Sequence, residues 1–219
     1  ITNISNFSGL SSGSITGWFN AQSFNCSNGA EILNFSNGSG TQNIILIELN
    51  CNTPNYMRVL VRPNTGQLLD FKTAANTFIF ETWHFFAYTT DSSGNSFYID
   101  GVKQSVTYTQ GSATTQAFYS NITSPLFHWL GSGRHSGAQQ SPYKGKIDEV
   151  RIYNRALSAD EIKRLYKMGA TTKINTSNST GSLSKGLVGY WSFNENDMSG
   201  NTATDGSGNG NNGTLTNGP

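Results

Sequence analysis

The sequence predicts an all-β protein, a sandwich of two antiparallel sheets with one short helix near residues 158–168. Short runs of β-branched and aromatic residues recur along the chain, and clusters of Gly, Asn, Ser and Thr separate them. Asp100-Gly101 is typical of a two-residue hairpin turn, which requires positive φ angles. Only residues 158–168 combine a helix start signal with apolar residues at helical spacing.

The predicted strands differ in how clearly the pattern marks them. The clearest is Tyr56–Arg62, in which apolar side chains alternate with two arginines. Residues 43–50 form a longer apolar run, which favours a central strand. In chain order, the predicted strands are 14–20, 43–50, 56–62, 83–90, 96–100, 102–106, 126–130 and 144–153.

The helix begins with a capping box, because Ser158 and Glu161 have the spacing to satisfy each other's backbone amides. Leu157 and Ile162 flank this cap at the positions of a hydrophobic staple. Gly169 is a natural end, since glycine tolerates the left-handed conformation that closes many helices. We expect the helix to pack on the sandwich as a structural element. Residues 170–185 are polar and aperiodic, which predicts a flexible linker.

Composition excludes several classes of partner. Charged residues make up 12% of the 219 residues, about half the usual share, and the net charge is +1. Such a chain offers no electrostatic attraction for nucleic acid or a membrane surface. No run approaches the roughly 18 apolar residues of a membrane span. We therefore expect an extracellular or cell-surface protein whose partners are glycans or other proteins.

Two cysteines, Cys26 and Cys51, are expected to form a disulfide, which is common in secreted proteins. The alternative is a pair of buried free thiols.

Two segments carry a resemblance to a known family. Residues 145–168 read GKIDEVRIYNRALSADEIKRLYKM, and residues 186–215 read GLVGYWSFNENDMSGNTATDGSGNGNNGTL. Both resemble hallmark stretches of the laminin G-like jellyroll family, within the concanavalin A-like sandwich folds. In that family the GYWSF stretch opens the domain and the KIDEVRIYNRALS stretch closes it. Here the order is reversed, so the resemblance implies either a permuted domain or a spare first strand for a neighbour.

The resemblance also covers residues 14–20 and 83–104, so it divides the chain into three parts. Residues 1–169 are expected to be a laminin G-like sandwich that lacks its opening strand. Residues 170–185 are the linker, and residues 186–219 carry the opening strand. The chain begins within a strand pattern at Ile1, so we expect it to be processed or excised from a longer polypeptide.

The turn at residues 205–213, DGSGNGNNG, is rich in oxygen ligands and in glycine, as calcium sites are. In related sandwich proteins a calcium ion lies between the opening segment and an Asp of the last core strand. The resemblance therefore implies a structural Ca²⁺ site made by Asp148, Asp205 and Asn209 with backbone carbonyls. The alternative is a plain Asx-rich turn.

Catalytic patterns are weak, and the sequence predicts no enzyme. Asp148 and Glu149 are adjacent on a strand and are expected to point to opposite faces, so they do not form a glycosidase pair. The three histidines lack the spacing of a zinc site. A Gly- and Ser-rich loop before the last core strand carries a candidate ligand-binding set, with an ordinary solvated loop as the alternative. That set is Arg134, His135 and Tyr143.

Two functions follow from the reversed order. The first, which the strand pattern at the start of the chain favours, is a structural or adhesion protein that assembles head-to-tail into filaments. Each copy would donate its C-terminal strand to the open sheet edge of the next copy. The second is a monomeric, permuted, Ca²⁺-dependent module that binds carbohydrate or protein.

Overall fold

The computed structural model describes residues 7, 9–23, 29–36, 42–52, 54–123, 127–135, 138–169 and 183–216, with backbone alone at 134–135 and 138–140. The described residues form seventeen strands, one α-helix and two short 3₁₀ helices. The strands are β1 (Gly13–Ala21), β2 (Ala30–Ser36), β3 (Ile44–Asn50), β4 (Tyr56–Arg62), β5 (Leu69–Thr73), β6 (Trp83–Asp91), β7 (Gly94–Ile99), β8 (Val102–Lys103), β9 (Val106–Gln110), β10 (Phe127–Leu130), β11 (Gly133–His135), β12 (Ala138–Gln140), β13 (Gly145–Tyr153), β14 (Leu187–Trp191), β15 (Met198–Ser199), β16 (Thr202–Ala203) and β17 (Gly213–Thr214). The 3₁₀ helices are Tyr119–Asn121 and Glu195–Asp197.

Two six-stranded antiparallel sheets make up the sandwich. The first sheet has the order β14-β13-β1-β6-β7-β8, and the second has the order β10-β2-β3-β4-β5-β9. The inner faces of both sheets contribute to one large apolar core, since side chains alternate between the two faces of each strand. The predicted fold class, a jellyroll-type sandwich with one short helix, is confirmed.

Predicted strands agree with the structure wherever one face is apolar. The hairpin turn is also confirmed, because Asp100 and Gly101 have φ angles of 51° and 75°. The strands β2, β5, β9 and β15–β17 and the hairpin β11–β12 were not predicted, and the predicted strand 102–106 is limited to the two residues of β8. In β2 an irregularity between Glu31 and Leu33 shifts the register, so the alternation that marks a strand is interrupted.

The helix α1 (Ala159–Met168) has the predicted capping box, with hydrogen bonds in both directions between Ser158 and Glu161. Its buried side chains, Ile162 and Leu165, join a second apolar cluster on the outer face of the first sheet. The Tyr166 ring stacks on Trp18 of β1 at 5.7 Å between centroids. The helix therefore closes this face as a structural element.

The terminal segment, residues 186–216, pairs with its own chain. β14 pairs antiparallel with β13 and so adds the edge strand to the first sheet. Trp191 is almost fully buried, and its indole N–H donates to the Asn211 carbonyl at 2.9 Å. The Tyr190 hydroxyl donates to the buried Glu149 carboxylate of β13 at 2.8 Å. The closing segment thus precedes the terminal segment in sequence and adjoins it in space, while the permutation and strand donation between copies stay predictions.

No helix within the described ranges is both long and apolar enough to cross a membrane.

Candidate functional site

The outer face of the second sheet carries a small apolar patch of its own. On β3, Ile45 and Ile47 point into the core, so the residues between them point outward. Three outward residues, Ile44, Leu46 and Leu60, form a cluster separate from the core and from the cluster under α1. This patch, called here the outer-face patch, is the centre of the candidate site.

Polar atoms without partners border the patch on the side of β2 and β10. Asn34 lies opposite Leu46 on one side and opposite Trp129 on the other. Asn34 is fully buried, and its amide nitrogen donates to Glu31 Oε2 at 2.8 Å. Within the described part of the chain, Asn34 Oδ1, Ser36 Oγ and Trp129 Nε1 are buried atoms that have no hydrogen-bond partner. Because buried polar atoms are normally satisfied by protein groups or by ordered water, water or a ligand can supply the partners of this cluster.

Two aromatic rings stand beside these atoms. Phe127 lies opposite Ser36 and Trp129 lies opposite Asn34, so both rings share the outward face of β10. Both side chains are half-buried, and their ring centroids lie 6.3 Å apart. The face therefore has aromatic surface that a ligand can reach, next to polar atoms that need partners.

A charged network borders the patch on the side of β4 and β5. Arg58 makes a bidentate pair with Asp70, with N–O distances of 2.7 and 2.6 Å, and donates to Glu48 at 3.0 Å. Gln67 donates to Asp70 at 2.6 Å. Burial raises the pKa of the Glu48 carboxyl, an effect that Arg58 opposes and the nearby carboxylates of Glu31 and Asp70 reinforce. The network fixes the orientation of Arg58, because both edges of its guanidinium are engaged.

The predicted ligand loop forms the hairpin β11–β12 beside this face. The backbones of Arg134 and His135 lie in β11, and Arg134 pairs with Gln139. A Cβ atom on the preceding Gly133 would overlap the Glu31 carboxylate, so the hairpin approaches the β2 edge closely. Tyr143 is half-buried against the core, and its hydroxyl donates to the Lys146 carbonyl at 3.3 Å. Thus the loop adjoins the site, whereas the Tyr143 ring serves packing.

Two of the three predicted calcium ligands meet in one turn, where they satisfy backbone groups. Asp205 is buried; its Oδ1 accepts from the amides of Tyr190 and Ser207, and its Oδ2 accepts from the Ser207 hydroxyl and the Asn211 amide. Asn209 donates to the Val188 carbonyl at 3.2 Å. The turn therefore anchors β14.

The third predicted ligand, Asp148, lies on β13 opposite Trp18. Its Oδ1 accepts from the Glu149 amide at 2.8 Å, and burial, with the neighbouring Glu149 charge, raises the pKa of the Asp148 carboxyl to about 6. Within the described residues, no three His, Cys, Asp or Glu side chains are placed to hold a metal. Since all four acceptor positions of the Asp205 carboxylate are filled, this arrangement does not fit a calcium ion at Asp205. The calcium site stays a prediction.

Cys51 is buried just after β3, and no cysteine in the described ranges is a free thiol. Cys26 lies outside the described residues, so the disulfide with Cys51 stays a prediction.

Sequence reasoning missed the outer-face patch and its polar border. Trp129 and Phe127 alternate with His128 in a predicted strand, which was an available signal for two aromatics on one face. Asn34 gave no such signal, because its strand was not predicted and its unsatisfied oxygen depends on packing with neighbouring strands.

Solved structures resemble the chain in fold. A proposed carbohydrate binding protein from Bacteroides ovatus matches at a TM-score of 0.66 and 16% identity, over 99% of this chain and 54% of its own length, so this chain spans about half of that protein. The CBM40 domain of the Ruminococcus gnavus IT-sialidase, bound to alpha2,3 sialyllactose, matches at a TM-score of 0.61 and 16% identity, over 72% of this chain and 83% of the domain. A sialidase from Streptococcus pneumoniae matches at a TM-score of 0.60 and 19% identity, over 72% of this chain and 24% of the enzyme. At these identities the likeness concerns the fold alone.

A comparison with curated protein sequences gives no match. One family does match in sequence. Residues 1–163 fit Laminin_G_3, a family of the concanavalin A-like lectin/glucanases superfamily, and residues 164–219 lie beyond the matched stretch. The matched stretch includes both six-stranded sheets except β14. Because the match covers well over half of a chain that also has the corresponding sandwich, the chain belongs to the laminin G-like family Laminin_G_3.

Proposed function

We propose that this chain is a non-catalytic carbohydrate-binding module that acts outside the cell and binds a glycan on the outer face of the second sheet. The observation that carries the proposal is the set of unpartnered buried atoms beside Trp129. Asn34 Oδ1 can only accept a hydrogen bond, Trp129 Nε1 can only donate one, and Ser36 Oγ does either.

Sugar hydroxyls match such a set, because each hydroxyl both donates and accepts. These atoms are buried, so a ligand hydroxyl reaches them only when neighbouring side chains shift to admit it. An unsatisfied buried polar atom costs about 1–3 kcal/mol, and a ligand that supplies the missing partner gains that free energy on binding. The half-buried rings of Phe127 and Trp129 offer flat apolar surface for the C–H face of a sugar ring. Pockets that combine aromatic surface with a few fixed polar groups are typical of small-molecule sites.

The structural neighbours support this function at the level of the fold. One is a proposed carbohydrate binding protein, and another is a CBM40 domain bound to a sialylated sugar. The sandwich thus hosts sugar binding elsewhere, but function depends on the site, and in this chain the proposed site is the outer face of the second sheet.

Trp129→Ala tests the proposal with a matched control. The variant removes the largest ring of the site together with its unpartnered N–H, so we expect glycan affinity to fall at least tenfold in isothermal titration against sugars first identified on a glycan array. Trp83→Ala is the control, because Trp83 is 37% exposed and lies in the first sheet, in β6. Equal affinities for the wild type and both variants would contradict the proposed site, and an array without any bound glycan would contradict the function.

No contact among the described residues favours strand donation between copies over pairing within one chain, because β14 pairs with β13 of the same chain. Assembly of copies into a filament stays a prediction that the concentration dependence of unfolding can test.

A further inference from the structure

We propose that the turn at residues 205–211, called here the edge cover, closes the free edge of β14 against strand addition by a second copy of the chain. This free edge is the side of β14 that faces away from β13. It is not the edge that strand donation would use, since donation pairs β14 with β13. The proposal is independent of glycan binding, which is proposed for the other sheet.

The sequence of β14 makes its free edge attractive to another strand. Leu187–Trp191 reads LVGYW, five buried residues without a charge or a proline. β14 lies at the end of the strand order, so in the described part of the chain one side of its backbone has no strand beside it. Uncharged, apolar edge strands pair readily with other chains unless a loop, a bulge or a charge blocks them. The fold therefore has to protect this edge.

Side chains of the edge cover occupy the outward carbonyl of Val188. The donors to this carbonyl are Ser207 Oγ at 3.0 Å, Asn209 Nδ2 at 3.2 Å and Asn211 Nδ2 at 2.7 Å. A carbonyl oxygen has two lone pairs, and three side-chain donors converge on this one. No capacity is left for the amide of an added strand.

The backbone groups of Tyr190, two residues further along β14, are also engaged by the edge cover. The Tyr190 amide donates to Asp205 Oδ1 at 2.9 Å, and the Tyr190 carbonyl accepts from the Gly206 amide at 2.8 Å. In an antiparallel edge strand, the backbone groups of alternate residues face away from the neighbouring strand. Val188 and Tyr190 are two such residues, so the cover fills the donor and acceptor positions that an added strand would use.

The edge cover is held in place from both ends and from within. The strands β16 and β17 pair on either side of the turn. The Asn212 side chain accepts from the Asp205 amide at 2.9 Å, and the Asn211 carbonyl accepts from the Trp191 indole at 2.9 Å. The turn is thus a fixed structure beside β14.

Opening the cover would leave the same edge free in every copy, so a second copy is the partner that fits this edge. β14 of one copy would then pair antiparallel with β14 of another about a two-fold axis. Such a contact uses the same surface on both copies, so it closes on itself and gives a dimer instead of a filament.

The experiment opens the cover and measures association. Asp205→Ala, Ser207→Ala, Asn209→Ala and Asn211→Ala, combined in one open variant, remove these side-chain hydrogen bonds to β14. We expect the light-scattering mass of the open variant to rise with protein concentration toward that of two chains, while the wild type keeps the mass of one chain. Hydrogen exchange followed by NMR should show the Tyr190 amide protected in the wild type. In the open variant, that amide should be protected only at concentrations where the dimer forms.

Asn196→Ala combined with Asn201→Ala is the matched control, because both residues are exposed in the same terminal segment. This control should keep the mass of one chain. A folded open variant that stays a monomer at every concentration would overturn the proposal. A wild-type Tyr190 amide that exchanges as fast as an exposed loop amide would overturn it as well.

A second variant decides the question if near-ultraviolet circular dichroism shows that the open variant does not fold. Asn209→Ala combined with Asn211→Ala removes two donors of the cover and leaves Asp205 in place. This double variant should exchange its Tyr190 amide faster than the wild type, because the cover opens more often. An unchanged exchange rate in the folded double variant would contradict the proposed cover.

Discussion

The outer faces of the two sheets carry different chemistry and are closed in different ways. On the first sheet, aromatic residues such as Trp18 and Phe85 cover the outward side, and α1 packs over them through Leu165 and Tyr166. On the second sheet the described residues provide only three outward aliphatic side chains, with charged and amide groups around them. These three side chains are also buried, at 1%, 3% and 3% exposure, but they form a small cluster separate from the large one beneath α1.

This difference separates structural from functional surface. The first sheet is closed by α1 and by β14, and Tyr190 of β14 pairs with Glu149 of β13. In the described part of the chain, four buried atoms of this sheet still lack hydrogen-bond partners, namely Thr16 Oγ1, Trp18 Nε1, Arg151 Nε and Tyr153 Oη. Among the described residues, the second sheet has five such atoms, and three of them lie together on its outer face beside half-buried aromatic rings. In a stable fold such atoms are a cost that a bound ligand can remove. Stability and binding should therefore respond to different substitutions.

Trp191→Ala, on the closed side of the molecule, should have the largest effect on the free energy of unfolding. The Trp191 side chain is 1% exposed and lies in the main core, so truncation should lower the free energy of unfolding by about 3–5 kcal/mol, with glycan affinity of the folded protein unchanged. Urea unfolding measures the loss, and Trp129→Ala, on the open side, is the contrasting variant.

The same unfolding experiment distinguishes self-pairing from strand donation. If β14 pairs with β13 of its own chain, the urea concentration at the midpoint of wild-type unfolding is independent of protein concentration. A midpoint that rises with concentration, together with light-scattering masses above that of one chain, would support donation between copies and contradict the self-paired arrangement.

Local patterns predicted the closed side of the molecule better than the open side. The capping box at Ser158 and the hairpin turn at Asp100-Gly101, both on the side of the first sheet, are signals contained within a few residues, and both are confirmed. The importance of Asn34 lies in what its oxygen lacks, which depends on three strands that come together only in the fold. Asp205 shows the reverse case, because a carboxylate in a glycine-rich turn has the same sequence pattern whether it binds a cation or backbone amides.

The pH dependence of stability should report on His128, which lies on the inner side of the second sheet. His128 of β10 is buried beside Phe35, with ring centroids 4.4 Å apart, and its two ring nitrogens lack partners in the described part of the chain. Burial lowers the pKa of His128 to about 3, while the unfolded chain takes up its proton near pH 6.5. The unfolded state then binds more protons, so stability should fall as pH drops from 6.5 toward 3, by up to about 1.4 kcal/mol per pH unit.

Asp148 acts in the opposite direction within part of this range. Because its pKa is raised to about 6, the folded state takes up a proton between pH 6 and the ordinary value near 4, which adds stability on acidification. Urea unfolding of His128→Leu and Asp148→Asn between pH 7.5 and 4 separates the two contributions. His128→Leu should reduce the fall in the free energy of unfolding on acidification, and Asp148→Asn should increase it. If the free energy of unfolding of His128→Leu depended on pH as steeply as that of the wild type, the inference that the buried His128 ring is neutral would be contradicted.

Calcium removal should have the smallest effect, because the turn that was expected to bind it already has its hydrogen bonds. Asp205 accepts from three amides and a hydroxyl, so chelation by EDTA should change the melting temperature by less than about 1 °C. Asp205→Asn, which replaces one acceptor oxygen by a donor, should by contrast destabilise the fold with or without calcium. A melting temperature that rises by several degrees with added Ca²⁺, and a titration that detects Ca²⁺ uptake lost in Asp205→Asn, would establish the predicted site instead. In that case the ion would replace hydrogen bonds that now hold the turn to β14, and the closed side of the molecule would depend on a ligand as well.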